Sequence, residues 1–221
     1  MGRPYVNPLE EQVKAAGIVG AGGAGFPTYV KLQKPVEAVI ANGAECEPLL
    51  TANQELMARY PREVVKGLEQ VTAAVKARRG ILALKKKYHG AWEALRPLVR
   101  PPLELFALDD FYPVGDEQVL VYEVLGRKVP AGGIPLAVDA VVSNVETLYN
   151  VAKGGPVLRK MLTVTGEVAR PYTAWVPVGT PYAVLIERAG GSTVSDPTLV
   201  AGGPMMGNVV DDWATPVSRT T

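Results

Sequence analysis

Apolar residues spaced three and four apart, alternating with short continuous apolar runs, divide the first part of this chain into helix and strand signals. "PLEEQVKAAG" places Leu9, Val13 and Ala16 at helical spacing, with a glycine to stop the helix. "VEAVIANGAE" reads as a strand running into a loop at Asn42. Residues 61–79, "PREVVKGLEQVTAAVKARR", put Val64, Leu68, Val71 and Val75 on one face, with Pro61 in the first turn and Gly80 as the expected stop. "GILAL" predicts a strand, "HGAWEALRPLV" a short helix and "LELFAL" a further strand. "DAVVSNV" predicts another strand that feeds a helix at "VETLYNVAK", with Asn144 as its N-cap. Strands alternating with helices predict an α/β fold with a largely parallel sheet, whose ligands gather at the carboxyl ends of the strands.

Near residue 157 the texture changes. "MLTVTGEVARPYTAWVPVGT" carries short β-like runs broken by Gly and Pro. "TPYAVLIERAGG" predicts a helix with Thr180 as N-cap, Pro181 at its first position and Gly190 beyond its end. "TLVAGGPMMGNVV" predicts a glycine-interrupted strand pair. A small α+β domain over residues 158–221 is expected after an α/β domain over residues 1–157.

Charge and composition narrow the chemistry. Lys and Arg number 23 against 22 Asp and Glu, a net charge of +1, so the basic stripe of a nucleic-acid binder is not evident. The single cysteine, Cys46, excludes an internal disulfide framework and a cysteine metal cluster. No apolar run approaches the roughly 20 residues of a bilayer span, and the N-terminal residues lack a signal-peptide pattern, so a cytoplasmic protein is expected. One histidine, His89 after three lysines, gives no support to a Ser-His-Asp or Cys-His nucleophile.

The densest chemical signal is "GAGGAGFPTYVKL", residues 20–32. Gly20, Gly22 and Gly25 match the G-x-G-x-x-G dinucleotide pattern, but only "GIV" precedes them, and Phe26-Pro27 follows where the phosphate-binding helix should already have begun. Glu45 satisfies the downstream-acid criterion, which is cheaply met. A plain surface turn is the bland alternative, yet glycine adds roughly 0.5–1 kcal/mol of ordering cost over alanine where the chain is fixed. The favoured reading is a ligand cradle outside the standard dinucleotide fold, with Lys31 available to a phosphate.

Three further stretches carry polar groups. "NGAECEP" sets Glu45 and Glu47 two apart, on one face if the segment is extended, where an acid/base pair, a metal site, ribose contacts or a solvated loop are open, the metal site disfavoured by the lack of histidine or further clustered acids. "YPVGDEQVLVYEVLG" places Gly115, Asp116 and Glu117 ahead of a helix, where acids also serve as dipole partners. "SNVETL" sets Ser143, Asn144 and Thr147 at a strand-to-helix junction, suited to a phosphate or to a plain cap.

The order of these motifs resembles the FMN-binding domain of the complex I 51-kDa subunit superfamily, in its RnfC/PduS-like branch. Residues from about 160 to 214, including "AGGPMMG", resemble the β-grasp (SLBB) domain that follows in that superfamily. The resemblance implies an atypical Rossmann-like FMN-binding α/β domain, then a small α+β SLBB domain. It implies hydride transfer from NADH to FMN and onward release of single electrons, with no catalytic side chain and no metal ligands in this stretch. Gly20, Gly22, Gly23, Lys31, Asn42, Glu45 and Glu47 match flavin positions. Gly115, Asp116 and Glu117 flank the isoalloxazine and nicotinamide, Asn144 and Thr147 the ribityl-phosphate end, and Phe26 an aromatic that stacks on the dinucleotide. Two positions depart: Ala21 stands for an arginine and Ala44 for an acid of the respiratory relatives.

Relatives carry 4Fe-4S clusters beyond the β-grasp domain, and Cys46 alone supplies one of the four ligands such a cluster needs. The chain ends on "PVSRTT" without closing a helix or strand, so those clusters are expected in a further C-terminal part. The implied partners are NADH and a downstream acceptor, either a cobalamin system or a membrane electron-transfer complex, with a homo-oligomer or a larger complex as the assembly. A bacterial microcompartment or the periphery of a membrane complex is the implied setting. The competing expectation is a non-catalytic module whose β-grasp domain captures a corrinoid or a partner protein.

Overall fold

In a computed structural model, which describes residues 7–221, four strands form one parallel sheet. The first six residues of the expected first domain lie outside the described residues. Strands β1 (Ala38–Asn42), β2 (Arg79–Lys85), β3 (Leu103–Leu108) and β4 (Ala140–Asn144) run in the order β3-β2-β1-β4. The four segments are those the apolar runs predict. In β1 the side chains alternate between two cores, Val39 and Ala41 to one face, Ala38 and Ile40 to the other. Burial on both faces is why the strand reads as an unbroken apolar run.

Helices α1 (Pro8–Ala15), α2 (Ala52–Arg59), α3 (Pro61–Ala74), α4 (His89–Leu95) and α6 (Val145–Lys153) contribute to the larger core, which holds Leu56, Leu68, Leu95 and Leu148. Helix α5 (Glu117–Leu125) covers the opposite face through Leu120, Val121 and Val124. Asn7 caps α1 and also donates to the carbonyls of Leu32 and Ala74, tying the start of the helix to Leu32 and to the end of α3. Helices α3 and α6 approach so closely that a Cβ on Gly67 would lie 2.0 Å from the Leu148 carbonyl oxygen.

Two local expectations are corrected. The helix from Pro61 ends at Ala74, and Lys76 in the left-handed region turns the chain before β2. Gly80 therefore lies inside β2, where a Cβ would meet Leu103 at 2.4 Å and Thr72 at 2.6 Å; it serves close packing rather than helix termination. In the second part Pro181 occupies the cap position of α7 (Tyr182–Arg188), while the Thr180 hydroxyl turns back to the Pro177 carbonyl. Helix α2 carried no predicted signal; its few apolar residues, Leu56 and Met57, are buried by tertiary packing.

A second core gathers Leu162, Val164, Val176, Leu185, Ala189 and Val217. It sits between the antiparallel pair β5 (Arg159–Val164) and β6 (Tyr172–Pro177) and helix α7. The pair β7 (Val200–Ala201) and β8 (Asn208–Val209) closes the glycine-interrupted segment. Trp175 of β6 packs with Tyr60 and Tyr149 of the first part, at 5.9 and 4.9 Å between ring centroids. Among the described residues no helix is long and apolar enough to cross a membrane.

Candidate functional site

The glycine loop is not preceded by a sheet strand. Helix α1 leads into it, an isolated bridge joins Val19 to Pro27, and the Gly20 amide donates to the Phe26 carbonyl at 2.8 Å. A short 3-10 turn, Thr28–Leu32, follows. The standard dinucleotide geometry, with a strand directly before the first glycine, is therefore excluded.

Instead the loop is laid against the carboxyl edge of the sheet. Asn42 and Asn144, the last residues of β1 and β4, are register partners on adjacent strands. A Cβ on Gly22 would lie 3.5 Å from the Asn144 side-chain nitrogen, so the loop passes directly over this strand end. The Ala21 amide donates to the buried Thr147 hydroxyl at 2.9 Å. Beyond it Gly22, Gly23 and Ala24 are exposed, and no hydrogen bond from their amides is made among the described residues.

Lys31 reaches the same region from the 3-10 turn. Its ammonium donates to the Glu117 carboxylate at 2.9 Å and to the Val142 carbonyl at 2.7 Å, leaving one of three N–H donors. The ammonium also lies 5.3 Å from the Phe26 ring centre. Phe26, Lys31 and Glu117, with Ile134 and Leu136, line a hollow of about 130 Å³. The two-residue separation between Gly115 and Glu117 ties this hollow to β1: the Asn42 side-chain Nδ2 donates to the Gly115 carbonyl at 2.8 Å. The Gly115 amide in turn donates to the Cys46 sulfur at 2.9 Å.

Glu45 and Glu47 do not share a face. The Glu45 carboxylate turns inward, accepting from Asn53 at 3.3 Å and from the Glu47 amide at 3.2 Å. Burial pushes its pKa upward, and the neighbouring Glu47 charge adds to this, against the lowering by the Glu47 and Cys46 amides. Glu47 turns outward to the second part of the chain and accepts from the Met205 and Met206 amides at 2.8 Å each. That clasp needs Gly203, with φ +96°, because a Cβ there would sit 2.4 Å from the Glu47 carboxylate. The segment is not extended: it loops after Asn42 and turns at Pro48, which is why period-two reasoning fails here. Asp116 caps α5, accepting from the Gln118 and Val119 amides. Asn144 caps α6 as expected, and its side-chain nitrogen donates to Asn53.

Sequence reasoning passed over Asn53, which bridges Glu45 and Asn144, because α2 itself went unread. It also passed over Tyr88, whose hydroxyl accepts from the Glu45 amide and whose pKa burial pushes up to about 12. The two departing positions have structural settings: Ala21 and Ala44 are both buried, each 5 % exposed. Among the described residues no group of His, Cys, Asp or Glu has the arrangement to hold a metal ion.

Residues 13–153 match the family described as the Nuo51 FMN-binding domain, and residues 161–209 match the SLBB domain. The chain is 46% identical over 217 residues to the cobalamin reductase PduS of Citrobacter freundii, covering 96% of this chain and 48% of that protein. It is 38% identical over 210 residues to one subunit of the Na(+)-translocating ferredoxin:NAD(+) oxidoreductase complex of Acetobacterium woodii, covering 90% of this chain and 47% of that protein. The chain thus spans about half the length of these curated relatives. Its fold is similar to a chain of an NAD+-reducing [NiFe]-hydrogenase in the air-oxidized state, with TM-score 0.79 and 25% identity over 95% of this chain and 44% of that one.

Proposed function

The chain belongs to the Nuo51 FMN-binding domain family with an SLBB domain following, and from that premise we propose that it is the flavin module of an NADH-oxidising electron-transfer protein. Residues 1–157 are taken as the FMN/NADH domain and 158–221 as the β-grasp domain. The observation that carries the reading is the meeting of four distant stretches at one sheet edge: the loop at Gly22, Lys31 with Glu117, Asn42 with Gly115, and Asn144.

The residues present suit FMN on their own chemistry. Exposed loop amides at Gly22, Gly23 and Ala24 are donors for phosphate or ring oxygens. The remaining Lys31 donor adds a charge-assisted contact. Bound flavin supplies the capacity to accept a hydride from NADH and to release electrons singly. The protein's part is placement: Phe26 offers an aromatic face for the dinucleotide, and Glu117 and Glu45 orient the nicotinamide and ribose. Asn42 fixes the Gly115 carbonyl beside Glu117, and Asn144 with Thr147 supports the ribityl-phosphate end, Thr147 acting through Ala21. Glu47 is assigned to the clasp on the second domain, near the flavin region. No side chain is required to act as nucleophile, since proximity of two rings supplies the main advantage.

On this reading the electrons pass to 4Fe-4S clusters that this chain does not itself hold and then to an acceptor such as cob(II)alamin, or to a membrane-peripheral complex. The test is titration of the apoprotein with FMN. Saturable quenching of flavin fluorescence, followed by bleaching of the bound flavin with NADH, is the expected result. A folded sample that leaves flavin fluorescence unchanged overturns the reading and favours a non-catalytic module that captures a corrinoid or a partner protein.

A further inference from the structure

Among the described residues, the hydrogen bonds that reach the glycine loop from distant parts of the chain converge on Ala21. The Ala21 amide is held by the Thr147 hydroxyl on α6, and the Ala21 carbonyl accepts from the Lys160 ammonium on β5 at 2.8 Å. Lys160 lies 139 residues away in the chain, in the strand that opens the second domain. Its ammonium is anchored in turn by the Glu146 carboxylate at 2.5 Å, whose other oxygen accepts from the Met161 amide at 3.0 Å. Both side chains are buried, 6% and 3% exposed. Burial pushes the Glu146 carboxyl upward, opposed by the Lys160 charge and the Met161 amide.

A buried ion pair is a poor source of stability, since the desolvation of two charges offsets most of their attraction and apolar replacements are often neutral. Packing alone needs only an apolar residue at the start of β5. What an apolar residue cannot supply is a donor to the Ala21 carbonyl. The residues that follow, Gly22, Gly23 and Ala24, are exposed, and with glycine at two of the three positions they have the greatest freedom to lose on binding.

We infer that Lys160, anchored by Glu146, is a positioning residue that sets the glycine loop in its binding conformation, so that the second domain acts directly on the ligand site of the first. The effect on flavin rests on the function proposed above; the effect on the loop does not.

The test compares the wild-type chain with the double variant Lys160→Met/Glu146→Gln, which removes both charges while keeping an acceptor for Met161. Melting temperature, amide exchange across residues 20–26 and FMN affinity are measured on the same samples. The expected result is a melting temperature within a few degrees of wild type, exchange raised about tenfold at the hydrogen-bonded Gly20 and Ala21 amides and unchanged outside the loop, and an FMN Kd raised about tenfold. Wild-type FMN binding with an unchanged Kd and unchanged loop exchange in the variant overturns the inference while leaving the flavin reading intact. Wild type that binds no flavin defeats that reading, and the loop exchange still decides the role of Lys160. If the double variant does not fold, Lys160→Gln/Glu146→Gln keeps a neutral hydrogen-bonding pair whose shorter side chain at 160 withdraws the donor from Ala21, and it is expected to raise exchange at the Ala21 amide about threefold; no rise overturns the inference.

Discussion

Gly67 offers a quantitative check on how α3 and α6 carry the site. A Cβ at this position would stand 2.0 Å from the Leu148 carbonyl oxygen and 2.6 Å from its carbon, where ordinary contact begins near 3.4 Å. The obstacle is backbone, so Gly67→Ala must part the helices by about 1 Å or more rather than turn a side chain aside, and overpacking of this kind costs about 1–3 kcal/mol. Against this, alanine gains about 1 kcal/mol of helix propensity over glycine in a helix interior. Because the clash is with backbone at 2.0 Å, the upper part of that range, about 2–3 kcal/mol, applies, and the net expectation is a loss of about 1–2 kcal/mol. For a domain of this size that lowers Tm by about 2–8 °C. Leu148 directly follows Thr147, which holds the Ala21 amide, so the displacement also reaches the glycine loop. Thermal melts of Gly67→Ala and of the control Gly90→Ala check the reasoning. A Cβ on Gly90, in α4, meets nothing nearer than Ala58 at 4.0 Å, and that variant is expected to be neutral or stabilised. A Gly67→Ala protein that melts at or above the wild-type temperature would show that the helix contact does not have this geometry.

Two further outcomes follow from the carboxylates after β1. Glu47→Ala removes the acceptor for the Met205 and Met206 amides; the contact is partly exposed, so a loss of about 1 kcal/mol is expected, and exchange at those two amides should rise about fivefold. Unchanged exchange at Met205 and Met206 would remove the clasp from the account. Glu45→Gln tests the upward shift of the Glu45 carboxyl from its ordinary value of 4.5. A carboxyl whose folded pKa is raised contributes stability that is present below the unfolded value and lost as pH climbs through the folded one. The melting temperature of wild type minus that of the glutamine variant should therefore fall as pH rises above 4.5, whatever fixed hydrogen-bond cost the substitution carries. A flat or rising difference contradicts the burial assigned to this group.

Local periodicity made much of the fold legible, because helix and strand register are properties of neighbours in the chain. All four sheet strands, the helix starts at Pro8 and Pro61, and the cap at Asn144 follow from spacing and capping chemistry that operate over a few residues. Helix α2 lacked such a signal, and Gly80 resembled a helix stop although its real constraint is a contact with Leu103 on the adjacent strand.

The site divides in the same way. Its residue types and their order could be read along the chain, since glycine-rich loops and acidic turns are local motifs. Their partners could not, since Lys31 meets Glu117 across 86 residues, Ala21 meets Thr147 across 126 and Glu47 meets Met205 across 158. Such pairings are set by which strand ends the parallel crossovers bring together, and no short stretch encodes that. The amino-acid order by itself thus determined the alternating elements and the polar groups available to a ligand. Only the tertiary structure decided that Glu45 turns inward while Glu47 clasps the second domain, and that Lys160 reaches back to Ala21, because burial and long-range hydrogen bonding exist only once the chain has folded.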